Sequence, residues 1–168
     1  MKRWLRFTAA VLAAAFLFAL TGCGSSTNSA SFTWFVDSIP ANLDPQVASG
    51  ASDVIACENL YGTLVRKDPD GELVPGLCEK WTVSSDGLTY TFTLKDGLTY
   101  AAAKGAATEY DITAEDFVFA FRRIFRADTA SPYAVEFSAI QNSAAVQAGL
   151  ADESSLGVSA NGALTLVF

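Results

Sequence analysis

The 168-residue sequence predicts a domain of mixed α-helices and β-strands, and three observations support this fold class. Apolar residues make up 51% of the chain and charged residues 17%, a balance that is sufficient to bury a core. Within residues 88–94, aromatic and aliphatic side chains alternate with threonines, which is the period of a strand with one buried face. Within residues 114–126, acidic residues open and arginines close a segment of helical apolar spacing, which predicts a helix.

The individual elements follow from capping and turn signals. Thr113 is a suitable N-cap for the 114–126 helix, and Phe117, Phe121, Ile124 and Phe125 are its expected buried stripe. Other predicted elements are strands at 32–36 and 64–66, a turn at 42–45, a helix from Ser52 bearing Val54, Ile55, Leu60 and Tyr61, a turn at 68–71, a helix at 139–148 and a hairpin at 157–168. Because the sequence stops inside the last predicted strand, with that strand unpaired, we expect these residues to be the N-terminal part of a longer polypeptide.

The charge balance disfavours nucleic acid as a partner. There are 11 Lys and Arg residues against 18 Asp and Glu residues, for a net charge of −7. The basic cluster of Arg122, Arg123 and Arg126 is too small to reverse the repulsion of phosphate backbones. The sequence contains no histidine, which excludes Ser-His-Asp or Cys-His catalysis and His-ligated metals within these residues.

The N-terminus has the pattern of an export signal. Lys2, Arg3 and Arg6 precede the apolar run 7–20, which falls short of the roughly 20 residues that a membrane-spanning helix needs. The following Leu20-Thr21-Gly22-Cys23 resembles the lipobox of bacterial lipoproteins. We therefore expect a signal peptide at 1–22, a lipidated Cys23 and a flexible tether at 23–31. A plain secretory signal or a short buried helix is the alternative interpretation.

Two groups of carboxylates are candidates for other chemistry. Within 68–72, three of them alternate as in a calcium loop, but Pro69 lies among them and a closing glutamate is missing, so a turn is favoured. Asp111, Glu115 and Asp116 are candidates for acid–base catalysis, but two of them open the predicted helix, where carboxylates are electrostatically favoured. We expect no metal site, no cofactor and no catalytic pair.

Cys57, Cys78 and Tyr133 are further candidate functional residues. The two cysteines form an even pair in a chain predicted to be exported, so they are either disulfide-bonded or two small buried side chains. Tyr133 follows a proline in a predicted loop, where a tyrosine is better placed to contact a ligand than on a buried helix face.

The chain resembles the oligopeptide- and dipeptide-binding family of ABC-transporter solute-binding proteins from about Phe32 to its last residue. The matching segments occur in the family's order and are LDP (43–45), NLYGTLV (59–65), DPDGELVPGL (68–77), EKW (79–81), DGLTYTF (86–92), TAEDFV (113–118), Arg123, TASPY (129–133) and LGV (156–158). The Ala-rich stretch 100–110 is longer than the family pattern and implies an altered surface loop.

The resemblance implies an α/β fold, with residues 32–168 as the start of the first lobe of a two-lobed, type II periplasmic-binding-protein-like clamp that has a mixed sheet and flanking helices. It implies a lipid-anchored, non-enzymatic protein on the extracytoplasmic face that captures oligopeptides and delivers them to ABC permease subunits. Ser49, Gly50 and Ala51 are then expected near the ligand, with Tyr133 bordering the cleft. Alternatives are a peptide sensor, a family member that binds nickel, haem or oligosaccharide, and a lipid-anchored hydrolase.

Overall fold

The computed structural model describes Thr33, Phe35 and residues 37–102 and 110–168. The predicted signal peptide, Cys23, the tether, most of the 32–36 strand and the centre of the 100–110 loop lie outside the described residues. Among the residues that are described, no helix is long and apolar enough to cross a membrane.

A four-stranded antiparallel sheet organises residues 78–168. Its strands, β3 (Cys78–Val83), β4 (Tyr90–Leu94), β5 (Ser159–Ala160) and β6 (Thr165–Val167), lie in the order β3-β4-β6-β5. The expectation of an unpaired last strand is wrong, because β6 lies between β4 and β5. Strands β1 (Val65–Lys67) and β2 (Leu73–Pro75) form a separate antiparallel pair. The strand pairs in the described part are thus all antiparallel, whereas the resemblance implies a mixed sheet for the whole lobe.

The β3–β4 hairpin confirms the strand predicted from alternation. Trp81 lies opposite Phe92 and Val83 opposite Tyr90, so residues of matching polarity share a face. Gly87 in the connecting turn has a φ of 75°, a conformation that glycine adopts without strain.

Helix α2 (Ala114–Ile124) packs on the sheet and begins at the predicted N-cap. The Asp116 carboxylate accepts hydrogen bonds from the backbone N–H of Thr113 at 2.7 Å and from its hydroxyl at 2.9 Å. The fully buried residues on this helix and its C-cap are Ala114, Val118 and Phe125. Of the predicted stripe, Phe125 is fully buried, whereas Phe117, Phe121 and Ile124 are partly buried and pack against the core.

The first helix, α1 (Ala51–Leu60), begins within one residue of the predicted start, and its buried residues are not the apolar ones noted in the sequence. Ser52, Asp53 and Cys57 are buried, whereas Leu60 and Tyr61 are at least half exposed. The polar residues are buried because they bind the segment that precedes the helix.

The segment after α2 contains shorter helices than the predicted one at 139–148. A 3₁₀ turn covers Ala134–Phe137, and helix α3 is limited to Ser143–Gln147. Gly149, with a φ of 70°, follows the C-cap of this helix in the left-handed conformation that glycine favours there. The predicted 157–168 hairpin is confirmed as β5 and β6.

Candidate functional site

Residues 37–50, here called the strap, have no regular secondary structure but a defined set of turns. The Asn42 side chain accepts a hydrogen bond from the Asp44 N–H at 2.9 Å, and the Asp44 side chain accepts one from the Gln46 N–H at 3.0 Å. The Asp44 carbonyl accepts from the N–H groups of Val47 and Ala48 at 3.1 and 2.8 Å. Short polar side chains that bind the backbone two residues ahead favour turns, which confirms the prediction at 42–45.

An ion pair joins the strap to the C-terminal end of α2. The Arg123 guanidinium donates through Nη1 to Asp44 Oδ1 at 3.1 Å and through Nη2 to Asp44 Oδ2. The side chains are 32% and 30% exposed, so water screens the pair only in part. The Arg123 hydrogen bond lowers the pKa of Asp44, and the same bond raises the pKa of Arg123.

Gln46 extends this junction along the helix. Its Oε1 accepts from Arg123 Nη1 at 2.7 Å, and its Nε2 donates to the carbonyl of Ala120 at 2.7 Å. Its own carbonyl accepts from the Ser131 hydroxyl at 2.6 Å. A single strap residue therefore contacts both α2 and the turn that carries Tyr133.

Tyr133 and the Ser49–Ala51 positions lie close together, although 82 or more residues separate them in sequence. The Tyr133 hydroxyl donates to the carbonyl of Ala48, immediately before Ser49. Ser49, Gly50 and Ala51 are exposed. The structure thus places exposed, small residues directly after a point at which the backbone is fixed.

An apolar cavity of about 430 Å³ lies next to the contact between Ala48 and Tyr133. Its lining includes Ala48, Val54, Cys57, Ile124, Tyr133 and Phe137. Its size and apolar walls suit an apolar group of a ligand.

The two cysteines are both buried and are not bonded to each other, which corresponds to the second of the two alternatives above. Burial, together with the negative charges of Asp53 and Asp44, raises the pKa of the Cys57 thiol. A raised pKa keeps this thiol protonated and poorly nucleophilic.

The remaining carboxylate candidates have local structural roles. The Asp68 side chain accepts from the N–H groups of Asp70 and Glu72 at 3.0 and 2.9 Å, as expected for a turn. Asp116 binds the N-cap of α2, and Asp111 forms an isolated backbone bridge with Thr99.

Gln46, Ser131 and Arg123, which join the strap to the rest of the site, were not among the functional residues predicted from the sequence. Arg123 was noted only as one of three arginines and as a family match. Its pairing with Asp44, 79 residues away in sequence, leaves no local periodic signal.

The family model for bacterial extracellular solute-binding proteins, family 5 (middle), matches residues 72–168. The chain belongs to this family. The periplasmic murein peptide-binding protein MppA of Escherichia coli is 36% identical over 129 residues, which are 76% of this chain and 23% of MppA. Its solved unliganded open form has a TM-score of 0.65 over 76% of this chain and 24% of that chain.

Two other relatives differ in the ligand that they are named for. Haemophilus influenzae OppA, solved in complex with RPPGFSPFR, is 32% identical with a TM-score of 0.65 and covers 76% of this chain and 24% of that chain. The probable deoxycholate-binding periplasmic protein YgiS of Escherichia coli is 36% identical over 129 residues, 76% of this chain and 23% of YgiS. The chain therefore spans about a quarter of the length of these relatives, and its helices and strands match the fold of the solved ones.

The geometry of the Asp44–Arg123 pair predicts a pH-dependent stability. In the intact protein, Asp44→Asn should lower the free energy of unfolding by about 1–2 kcal/mol at neutral pH, because a charged hydrogen-bonded pair is lost. The folded-state pKa of Asp44 lies below its ordinary value of 3.8, so the contribution is present above that pH and is lost as the pH falls through the folded-state pKa. Urea unfolding at several pH values measures the difference.

The matched control is Asp70→Asn, which neutralises an exposed carboxylate on the 68–71 turn. It should change the stability little at any pH. Equal effects of the two substitutions at neutral pH, or a D44N effect that persists unchanged below the folded-state pKa, would contradict the prediction.

Proposed function

We propose that the intact protein is an extracytoplasmic solute-binding lipoprotein that captures oligopeptides and delivers them to an ABC permease. Membership of the solute-binding family supports the general role. The observation that carries the proposal is the exposed backbone at Ser49–Ala51, fixed at Ala48 by Tyr133 and adjoining an apolar cavity. No chemical step on the ligand is part of the proposal, since a solute-binding protein returns its ligand unchanged.

Capture would use the ligand's main chain. Ser49, Gly50 and Ala51 have small side chains or none, so a peptide backbone can approach their N–H groups and the Ser49 carbonyl closely. The Gly50 carbonyl is already used by α1, where it accepts from the Val54 N–H at 2.9 Å. Hydrogen bonds to a backbone do not depend on peptide sequence, which favours broad recognition. An apolar ligand side chain would gain further affinity in the cavity that Tyr133 borders.

The N-terminal region would hold this binding domain at the membrane. In the proposed arrangement residues 1–22 are removed, Cys23 carries the lipid, 23–31 form the tether and 32–168 begin the first lobe. A lipid on a flexible tether keeps the domain near its permease partner without a membrane-spanning helix.

A second candidate ligand is an amphipathic steroid-like molecule. The relative named for deoxycholate has the same identity to this chain as the one named for murein peptide. The cavity of about 430 Å³ would accept part of a rigid apolar ring system.

Removing the Tyr133 hydroxyl should weaken ligand binding. In the intact protein, Tyr133→Phe should raise the Kd for RPPGFSPFR by about 5- to 10-fold, because the hydroxyl no longer holds the Ala48 carbonyl. Isothermal titration with this peptide and with a mixed oligopeptide pool measures the effect.

Tyr90→Phe is the matched control, because it removes a tyrosine hydroxyl from β4 and should leave the Kd unchanged. Binding of deoxycholate with no binding of either peptide sample would favour the second candidate. A wild-type protein that binds neither class would refute the proposed function.

The lipid anchor is tested separately at Cys23. Cys23→Ser should move the protein from the membrane fraction to the soluble fraction, because no thiol remains to be lipidated, whereas Ser25→Ala in the tether should not. Intact mass spectrometry of the membrane-extracted protein should show a diacylglyceryl group on Cys23. Unchanged fractionation of C23S would count against the anchor.

A further inference from the structure

The strap, which leads into Ser49–Ala51 at the start of α1, has no regular secondary structure, so its position depends on contacts with other segments. Residues outside the strap form hydrogen bonds with it at several positions along its length. These are Ser38 with Ser52 at 2.9 Å, the Ala41 N–H to Asp53 at 2.7 Å, the Tyr61 hydroxyl to the Leu43 carbonyl at 3.0 Å, and the contacts of Asp44, Gln46 and Ala48 described above.

Arg123 differs from the other groups that hold the strap because its guanidinium contacts two strap side chains. It donates to both Asp44 oxygens and to Gln46 Oε1. Asp44 is also the residue whose carbonyl accepts the Val47 and Ala48 N–H groups. Arg123 therefore contacts the side chain of the residue whose carbonyl closes the turn that ends at Ala48, one residue before Ser49.

We infer that Arg123 is a positioning residue for ligand capture, which acts through Asp44 and Gln46 on the backbone of Ser49–Ala51. This inference rests on the proposed function, since Arg123 itself is not placed against the ligand. The planar guanidinium suits the role because its donors lie in a fixed fork, which sets the direction of each acceptor as well as its distance.

The same helix end offers a matched control. Arg126 forms a similar two-point pair with Asp128, with Nε–Oδ1 at 3.1 Å and Nη2–Oδ2 at 2.9 Å. Arg123 lies in the last turn of α2 and Arg126 two residues beyond the helix end, so both are near the C-terminal end of the helix dipole. Arg126, however, has no hydrogen bond or ion pair to the strap within the described part of the chain. A general effect of losing an arginine or an ion pair should therefore appear equally when Arg123 or Arg126 is replaced by glutamine.

The first measurement needs no ligand. In the intact apo protein, Arg123→Gln should accelerate hydrogen exchange at the Val47 and Ala48 amides by about tenfold or more, because the turn that they close loses its support. Exchange in the centre of α2 should be unchanged, and Arg126→Gln should leave the strap amides as in wild type. Equal protection of Val47 and Ala48 in R123Q and wild type would overturn the inference.

The second measurement concerns the ligand. At a temperature where circular dichroism shows all variants fully folded, R123Q should raise the Kd for RPPGFSPFR about tenfold, and R126Q should not. The double variant D44N/R123Q should have a Kd no higher than that of the single variant with the higher Kd, because the two residues act as a unit. Additive losses, or equal Kd values for R123Q and wild type, would overturn the inference.

The two measurements separate the possible failures. If wild type binds no peptide, the proposed function is refuted, while the exchange experiment still decides whether Arg123 positions the strap. If wild type binds and only the melting temperature changes in R123Q, Arg123 has a purely structural role and the inference is wrong.

Discussion

The two-point ion pair between Asp44 and Arg123 is the contact on which the arrangement of the candidate site depends. It joins residues 79 positions apart and fixes a segment that has no strand or helix of its own. Gln46 and Ser131 then connect the same segment to α2 and to the turn bearing Tyr133. A partly buried pair of this kind contributes modestly to stability, but its fixed fork geometry gives a specific direction to the chain.

This pair can position the strap only because α2 is itself held firmly. Val118 and Phe125 are almost fully buried against the sheet, and Phe121 packs edge-on against Phe168 with ring centroids 4.7 Å apart. The Thr113–Asp116 cap defines where the helix begins. The apolar core thus fixes the position of α2 and with it Arg123. In our proposal, Arg123 in turn fixes the strap that leads to the exposed residues Ser49–Ala51.

Local patterns in the sequence predicted the parts of the structure that local energetics determine. The Thr–aromatic alternation predicted β4, Thr113 predicted the start of α2, and the Asn-Leu-Asp-Pro turn was confirmed by its side-chain hydrogen bonds. The buried face of α1 could not be predicted from apolar spacing, because Ser52 and Asp53 are buried where they form hydrogen bonds to the strap. The Asp44–Arg123 and Gln46–Ser131 contacts were not predictable, since they depend on how distant segments meet in space.

The most direct test is a structure of the intact protein bound to RPPGFSPFR. We expect peptide main-chain atoms at hydrogen-bond distance, about 2.7–3.2 Å, from the N–H groups of Ser49–Ala51 or the Ser49 carbonyl, with Arg123 still paired to Asp44 and Tyr133 still bonded to Ala48. A peptide bound elsewhere, with Ser49–Ala51 left in solvent, would contradict it.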